Sequence, residues 1–450
     1  MSDLASFLPF TPTADQSRAL GAIGRFLANP DADAFVLCGA AGTGKTSVTR
    51  AITEHLASEG VPFHVLAPTG RAAKIIGEKT GVRARTVHSA IYTPSPVEGE
   101  STVWMVPKAN GCTDRTVFVV DEASMLSNRA DTKGEMRTAR APLADLVRYV
   151  KEGNARSQIV FVGDAFQLPP VGEQASAALD PVLLQEAYGL RVHTAELREV
   201  MRQASGSYIM ENALRLREAM ESGRTSARPR LKRLSNEGAQ VRTFLDAFDP
   251  ERPESATMLA YTNRDVNRMN RNVRARLGTA GTRLAPTDRV VLQRPWRRDG
   301  ALLVGGEQGT VLSVGEASSF GGLSFAEVRV AFDGDRVVDD LALLDTLTAP
   351  KGSLRADQER ALLHEAIRRN PAFRESRHLS DDPHAGALRL RHGFALTVHK
   401  AQGGEWDHVY LHPYLARDSR WVYTAVTRAR KEAYSYRHPY PSVDMVDFMA

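Results

Sequence analysis

Short apolar segments alternate with helix-compatible segments from the start of the chain to about residue 180. Four apolar runs predict buried strands, and a polar or Gly- or Pro-bearing loop follows each of them. These runs lie at residues 35–37, 63–67, 117–120 and 159–162. The alternation is typical of a parallel sheet whose strands are joined by crossover helices. Because open α/β sheets bind ligands beyond the carboxyl ends of their strands, we expect functional side chains in these loops.

A second α/β pattern begins after about Gly189. Its predicted strands lie at residues 192–197, 257–260, 394–398 and 409–411. A chain of 450 residues is long enough for about two to four domains that each bury a core. We therefore predict an α/β protein with two parallel-sheet domains, the first at residues 1–184 and the second at residues 185–450.

Each predicted domain is interrupted by a segment of different character. Residues 91–116 are rich in Pro, Gly and Ser around a short apolar centre, and they predict an inserted hairpin. Residues 284–390 contain β-favouring stretches separated by glycines, followed by a charged, helix-favouring stretch at 354–369. This second segment predicts a small inserted β-barrel with a helical excursion.

The composition is that of an ordinary soluble globular protein, with 42% hydrophobic and 25% charged residues. No apolar run is long enough to cross a bilayer, and residues 1–10 lack the features of a secretory signal. We therefore expect a cytoplasmic protein with no membrane partner. Cys38 and Cys112 cannot build a disulfide framework and lack metal-ligand spacing. The net charge of +5 is compatible with a polyanionic partner but does not identify one.

The segment "GAAGTGKT", between a predicted strand and a predicted helix, carries the first candidate chemistry. It fits the pattern GxxxxGK[ST], in which glycines let backbone N–H groups surround a polyphosphate at a helix N-terminus. Lys45 would reach the β- and γ-phosphates, and the Thr46 hydroxyl would be a ligand of Mg²⁺. The predicted nucleotide-binding residues of this loop are Gly39, Gly42, Gly44, Lys45, Thr46 and Ser47. Kinases, GTPases, motors and clamp loaders share such a loop, so it does not choose among them.

Two further strand ends carry candidate catalytic groups. In "VFVVDEAS", Asp121 can hold Mg²⁺ while Glu122 orients or deprotonates the attacking water. In "GDAFQLPPVG", Gln167 can sense the γ-phosphate or position water. The same segment also fits a plain turn that Pro169 and Pro170 stiffen.

The motifs read in order resemble a known family. They are "TADQSRAL", "GAAGTGKT", "APTGRAAK", "TVHSAIY", "DEAS", "GDAFQLPPV", "LREVMRQ", "LTVHKAQGGEWDHVYL" and "VYTAVTRARK". This series resembles the complete motif set of superfamily 1 helicases, and most closely the RecD and Dda group, which moves 5′ to 3′ on DNA. It extends from Gln16 to Lys431, and the ending "YTAVTRAR" differs from the closing pattern of superfamily 2.

The resemblance implies an ATP and Mg²⁺ site shared by two RecA-like domains. In it, Gln16 would contact adenine and Glu405 would contact the ribose. Gln167 would couple the γ-phosphate to motion. Arg202 and Arg428 would approach the γ-phosphate from the second domain, although a lone arginine is more often an ordinary surface cation.

The resemblance also implies a channel for single-stranded DNA across both domains. Its predicted DNA-contacting residues are Pro68, Thr69, Arg71, Thr86 and His88 in the first domain, and Thr262, Asn263, Thr397, His399 and Lys400 in the second. Hydroxyl, amide and cationic groups position a backbone without reading sequence, so we expect little sequence specificity. The two histidines are interpreted as hydrogen-bonding loop residues rather than metal ligands.

The family places a strand-separating pin where this chain has the hairpin at residues 91–116. Trp104 is the predicted aromatic of the pin and would stack on a base at the junction between single and double strands. The alternative is that Trp104 packs the hairpin onto the domain beneath it.

Three functions fit these patterns. The first is a monomeric DNA helicase with replication or recombination proteins as candidate partners. The second is a DNA-dependent ATPase that remodels protein–DNA complexes without processive unwinding. The third is a module of a ring, which would need an arginine from a neighbouring subunit, whereas here both arginines lie on one chain.

Overall fold

The computed structural model describes most of the chain. The described residues are 4–96, 103–132, 136–200, 208–223, 228–298, 301–303, 305–333, 336–349, 352–413 and 418–436. The predicted site residue Arg202 lies outside these ranges. Within them, no helix combines the length and apolar character that crossing a membrane requires.

The first half of the chain folds around a parallel sheet. Its elements are α1 (Ala14–Ala28), β1 (Ala34–Gly39), α2 (Lys45–Ser58), β2 (Phe63–Ala67), α3 (Gly70–Thr80), β3 (Ala84–Thr86), α4 (Val87–Ile91), β4 (Tyr92–Pro96), β5 (Val103–Pro107), β6 (Val117–Val120), β7 (Met136–Arg137), α5 (Pro142–Gly153), β8 (Gln158–Gly163), α6 (Pro181–Tyr188) and β9 (Val192–Leu197). The strand order is β3-β2-β6-β8-β1-β9, and all pairs are parallel. Every residue of β6 and β8 is buried, as expected when helices cover both faces. The four strands predicted in this half are confirmed.

Strand β9 corrects the predicted division of the chain. The sequence pattern assigns residues 192–197 to the second domain, but β9 pairs in parallel with β1, from Ala34 opposite Val192 to Gly39 opposite Leu197. This assignment was wrong, because the first sheet extends to Leu197. Only Leu197 of the strand is fully buried, so the apolar pattern of this edge strand carries no information about which sheet it joins.

The second half builds another parallel sheet and the barrel. Its elements are α7 (Tyr208–Glu221), β10 (Lys232–Leu234), α8 (Glu237–Ala247), β11 (Ala256–Ala260), α9 (Asn263–Arg276), β12 (Arg289–Leu292), β13 (Trp296–Arg298), β14 (Ala301–Leu303), β15 (Gln308–Phe320), β16 (Leu323–Phe332), β17 (Arg336–Leu343), α10 (Asp345–Thr348), α11 (Ala356–Arg369), α12 (Pro371–Ser376), β18 (Leu388–His392), β19 (Ala395–Thr397), α13 (Val398–Ala401), β20 (Trp406–Leu411), α14 (Ser419–Val426) and β21 (Ala429–Tyr436). The sheet order is β10-β21-β20-β11-β19, again parallel. The chain therefore has the two predicted RecA-like domains.

Both predicted insertions are present. Strands β12, β15, β16, β17 and β18 close a barrel, and α11 packs beside its long β15–β16 hairpin through Leu362, Phe320 and Phe325. The helix predicted at residues 354–369 is thereby confirmed. Strands β4 and β5 form the antiparallel hairpin predicted for residues 91–116. The two-residue strand β7 adds to β5 in parallel and is too short to have been predicted from the sequence.

Candidate active site between the two domains

The phosphate-loop candidate is curled as its sequence predicts. Gly42 and Gly44 have φ values of 78° and 85°, a left-handed conformation that side-chain-bearing residues rarely adopt. Helix α2 starts directly after Gly44, so its first N–H groups face the loop. The Lys45 ammonium donates to the carbonyls of Gly39 and Ala40 at 2.7 and 3.1 Å. The lysine is thus held at the mouth of an anion cradle.

A cavity of about 360 Å³ lies between the two domains at this loop. The volume suits a small-molecule ligand, for which sites of ~300 to 1,000 Å³ are usual. The first domain lines it with Ala41, Gly42, Gly44, Lys45, Thr46, Ala72, Ile75, Ile76, Lys79, Asp121, Glu122 and Gln167, and the second with Gly403, Glu405, Thr427 and Arg428. Seven predicted residues with polar side chains therefore converge on one cleft.

The acidic pair follows β6 at the floor of the cavity. Burial, and then the neighbouring Glu122 carboxylate, raise the pKa of Asp121 to about 7. Glu122 has a φ of 50°, an uncommon value for a residue with a side chain and one that is characteristic of functional sites. Among the described residues no donor reaches the buried Glu122 Oε2 or Gln167 Oε1. Both residues line the cavity, so two buried oxygens without a protein donor lie beside the space for a ligand.

The residues present fit a Mg²⁺ ion that accompanies a nucleotide. The Thr46 hydroxyl and the Asp121 carboxylate line the same cavity, and oxygen ligands of these kinds are those that Mg²⁺ prefers. The pKa of Asp121 is raised because burial and the Glu122 carboxylate outweigh the opposing effect of Lys45 and Lys79. A bound cation would favour its ionised form and neutralise phosphate charge.

Arg428 brings the second domain to the cavity. Its side chain is 4% exposed and donates to the carbonyl oxygens of Thr424 and Gly404, both at 3.1 Å, and to Thr427 Oγ1 at 3.3 Å. Glu405 lies beside it. Burial would raise the pKa of Glu405, but Lys79, Arg428 and other cations outweigh burial and lower it. The second domain thus presents one fixed cation and one ionised carboxylate to the cleft.

Three predicted nucleotide-binding residues do not line the cavity. Gln16 is fully buried, its Oε1 accepts from the Thr13 N–H, and its Nε2 donates to the Thr43 carbonyl, so it joins α1 to the phosphate loop. Its contact with adenine stays a prediction. Gly39 lies beneath the loop, where a Cβ would come within 2.7 Å of Thr43 Oγ1. Ser47 lies in α2 outside the lining.

Helix α3 supplies residues that the sequence reasoning missed. Ala72, Ile75, Ile76 and Lys79 recur at helical spacing and form one wall of the cavity. That spacing was readable from the sequence, but it equally indicates a face packed on a core. The helix packs directly on the second domain, since a Cβ at Gly403 would lie 2.9 Å from Ala72 Cβ.

The four predicted DNA-contacting threonines occupy equivalent positions. Each lies where a strand ends and caps the helix that follows, accepting from a backbone N–H three residues on. Thr69 caps α3, Thr86 caps α4, Thr262 caps α9 and Thr397 caps α13, at 3.2, 3.0, 3.1 and 3.4 Å. Pro68 directly precedes the first of them. The two domains therefore place like groups at like strand ends.

Four further predicted DNA-contacting residues are His88, His399, Asn263 and Lys400. Burial lowers the pKa of His88 and of His399, so both rings are neutral at physiological pH and can act as hydrogen-bonding groups. Asn263 Oδ1 accepts from Arg391 at 2.9 Å, and the Lys400 ammonium donates to Gln293 Oε1 at 2.9 Å. Asn263 therefore lies beside strand β18, and Lys400 lies beside the segment that follows β12.

Arg71 does not lie on an open surface. Its Nη1 donates to Gln308 Oε1 of the barrel at 2.5 Å, and its guanidinium carbon lies 4.1 Å from the centroid of the Trp406 ring. A Cβ at Gly404 would come within 2.7 Å of that carbon. Burial lowers the pKa of Arg71 to about 10, so the side chain keeps its charge at neutral pH. In this arrangement Arg71 joins the first domain, the barrel and the second sheet.

We expect Arg71→Ala to weaken the communication between these parts. It removes a cation–π contact worth roughly 0.5 to 2 kcal/mol and an interdomain hydrogen bond. For the DNA-stimulated ATP turnover that the motif resemblance implies, the stimulation by single-stranded DNA should fall about fivefold, and Gln308→Ala should reproduce the effect. A direct phosphate contact would instead reduce the salt dependence of DNA binding by about 0.7 in slope for Arg71→Ala alone. Lys74→Ala on the same helix serves as the control.

Comparison with known proteins agrees with the geometry. A family model described as an AAA domain matches residues 13–239, just over half of the chain, and a UvrD-like helicase C-terminal domain matches residues 392–435. The ATP-dependent RecD2 DNA helicase of Deinococcus radiodurans is 28% identical over 418 residues, which cover 89% of this chain and 46% of that protein. The ATP-dependent DNA helicase dda of Enterobacteria phage T4 is 26% identical over 275 residues, which cover 57% of this chain and 55% of that protein.

A solved structure shows the same fold. The Pif1 helicase from Bacteroides, in complex with ADP-AlF3 and single-stranded DNA, superposes with a TM-score of 0.54 at 17% identity, covering 95% of this chain and 92% of that one. The chain spans about half the length of the two curated relatives named above. The chain belongs to the AAA domain family, and its similarity to the RecD2 and dda helicases is consistent with the resemblance to the RecD/Dda-like group of superfamily 1.

Proposed function

We propose that this chain is an ATP-driven DNA helicase that moves 5′ to 3′ on single-stranded DNA and separates duplexes with little sequence specificity. The observation that carries the proposal is the single cleft in which Lys45 and Glu122 of the first domain face Arg428 of the second. An arginine supplied across a cleft stabilises the charge of a transferring phosphoryl group. Hydrolysis then requires the two domains to be closed on each other.

The lining residues divide the chemistry among them. The loop N–H groups and Lys45 would hold the phosphates, and Thr46 and Asp121 would hold a Mg²⁺ ion that neutralises phosphate charge. Glu122 takes the proton of the attacking water, which Gln167 orients with its free amide oxygen. Arg428 stabilises the charge that develops on the γ-phosphate. Glu405 binds the ribose. Gln16, which lies outside the lining, holds the loop through its bond to the Thr43 carbonyl.

Helix α3 links the ATP cleft to the DNA. Its N-terminus, capped by Thr69, is an electropositive position suited to a DNA phosphate, and one of its faces forms a wall of the cleft. Helix α9, capped by Thr262, offers the matching group in the second domain. Opening and closing the cleft would change the separation of the two grips, which is the movement that translocation needs.

The origin of the cleft residues in one chain indicates which partners the protein needs. Both sides of the cleft come from one chain, which supports a functional monomer and disfavours a ring that borrows its arginine. The partners that follow are single-stranded DNA, its junctions with duplex and, in a cytoplasmic setting, proteins of replication or recombination.

Unwinding of tailed duplexes tests the proposal. We expect strand displacement, with ATP turnover followed in parallel, from duplexes that carry a 5′ single-stranded tail. A preference for 3′ tails would contradict the polarity. ATP turnover without any displacement would contradict unwinding and favour a remodelling ATPase.

Trp104 on the pin is the side chain expected to act at the junction. It is 37% exposed, and Val106, two residues along β5 and on the same face, is 48% exposed. A base stacked on an aromatic ring gains roughly 1 to 3 kcal/mol, which is comparable to the ~1.4 kcal/mol of stacking lost when one base-pair step opens.

We therefore expect Trp104→Ala to lower the unwinding rate about tenfold while DNA-stimulated ATP turnover stays within about twofold. Val106→Ala, which trims a neighbouring apolar side chain, is the matched control and should unwind nearly normally. Parallel loss of unwinding and ATP turnover in Trp104→Ala would show that the ring packs the hairpin instead.

A further inference from the structure

The hydroxyl of Tyr423 connects two loops of the first domain from a position in the second. Tyr423 lies on α14 and is fully buried. Its oxygen accepts from the N–H of Ala41 in the phosphate loop at 3.0 Å and donates to Asp164 Oδ2, after β8, at 2.8 Å. A single side chain therefore bridges the phosphate loop and the loop that carries Gln167.

The loop of Gln167 is tied to the second domain at two further points. The Leu168 N–H donates to Thr424 Oγ1 at 2.9 Å, and Gln402 Nε2 donates to the Leu168 carbonyl at 2.8 Å. On the other side of Gln167, the Phe166 ring lies 6.2 Å from the ring of Tyr423. Both neighbours of Gln167 thus contact second-domain residues, while Gln167 itself lines the cavity.

The surroundings of the Tyr423 hydroxyl determine that it stays protonated. Burial, and then the Asp164 carboxylate, raise the pKa of the Tyr423 phenol well above its usual value. The hydroxyl therefore keeps its proton, donates it to Asp164, and remains an acceptor for Ala41. The other Asp164 oxygen accepts from the Phe166 N–H at 3.0 Å, which extends the bridge to the residue before Gln167.

We propose that Tyr423 is a positioning residue, whose hydroxyl fixes the distance between the phosphate loop and Gln167 and makes that distance depend on the second domain. The proposal rests on the proposed ATP hydrolysis. When the domains part, the Ala41 and Asp164 bonds break together and Gln167 loses its placement beside the γ-phosphate. The bridge thereby links the state of the cleft to the rate of the chemical step, in addition to the charge that Arg428 supplies.

Tyr423→Phe in the full chain tests this assignment, with Tyr410→Phe as the matched control. Tyr410 is also fully buried, and its hydroxyl donates to the Thr243 carbonyl at 2.8 Å within the second domain, away from the cavity lining. We expect Tyr423→Phe to lower kcat for ATP at saturating single-stranded DNA about tenfold, with KM within about threefold. Tyr410→Phe should keep kcat, although both variants lose similar thermal stability.

Thr424→Val provides an independent second variant, because it removes the acceptor of the Leu168 N–H without touching the phosphate loop. It should also lower kcat several-fold with little change in KM. Unchanged kcat in both Tyr423→Phe and Thr424→Val, or an equal fall in Tyr410→Phe, would overturn the proposal. Absence of ATP turnover in the unaltered chain would instead reject the proposed function itself, so the two failures are distinguishable.

Discussion

Lys45→Ala is expected to lower ATP turnover by roughly 10³ and to abolish strand displacement with it. The Lys45 ammonium now contacts the carbonyls of Gly39 and Ala40 and can reach a phosphate by a short movement of its flexible side chain. No other lysine projects from the described phosphate loop, so the lost charge has no replacement there. Steady-state ATP hydrolysis with single-stranded DNA measures the loss.

Lys79→Ala is the control for this change. Lys79 lines the same cavity but lies at the end of α3 and pairs with Glu405 at 3.5 Å. Its removal should change the KM for ATP more than kcat. If a Lys45→Ala protein displaced strands at the normal rate with ATP, the assignment of this cleft as the motor site would be wrong.

Arg428→Ala should produce the second large effect, a fall in kcat of roughly 10³ or more with ATP binding largely retained. The guanidinium is the cation that the second domain fixes at the cleft, and three hydrogen bonds hold it there. Because the change also leaves two buried carbonyls without this donor, we expect a loss of about 1 to 3 kcal/mol in the free energy of unfolding. Hydrolysis must therefore be measured below the unfolding transition.

Arg430→Ala separates a local loss of charge from a specific role of Arg428. Arg430 lies two residues on, and its Nε is 3.5 Å from Glu405 Oε2 on the same side of the cleft. Its removal should change kcat by less than about tenfold. A kcat for Arg428→Ala within twofold of the unaltered chain would show that the second domain does not take part in hydrolysis.

The sequence identified residues whose chemistry is local. A glycine loop before a helix, or an acidic pair after a buried strand, has its meaning fixed within a few residues, and the cavity indeed unites Lys45, Asp121 and Glu122. The distant partner Arg428 was found only through the order of the motifs. Arg428 reaches the cleft only once both sheets have folded and packed together, which no local sequence pattern shows.

The residues that were missed depend on contacts between distant segments. Tyr423 lies in helix α14, and the residues next to it in the sequence are almost all buried. Its sequence context therefore indicates core packing alone. Its partners are 259 and 382 residues away in the chain. Arg71 was predicted as a DNA-contacting residue, but its contact with Gln308, 237 residues away, was not. Strand β9 likewise has a local pattern that fits either sheet.

The most direct test of the account is a structure of this chain with Mg²⁺, ADP and aluminium fluoride, which together mimic the transferring phosphoryl group. We expect Lys45 and Arg428 to contact the fluoride atoms from opposite domains, with Thr46 and Asp121 at the cation. A structure in which the nucleotide binds the first domain while Arg428 stays out of reach of the fluoride would contradict a cleft that needs both domains for hydrolysis.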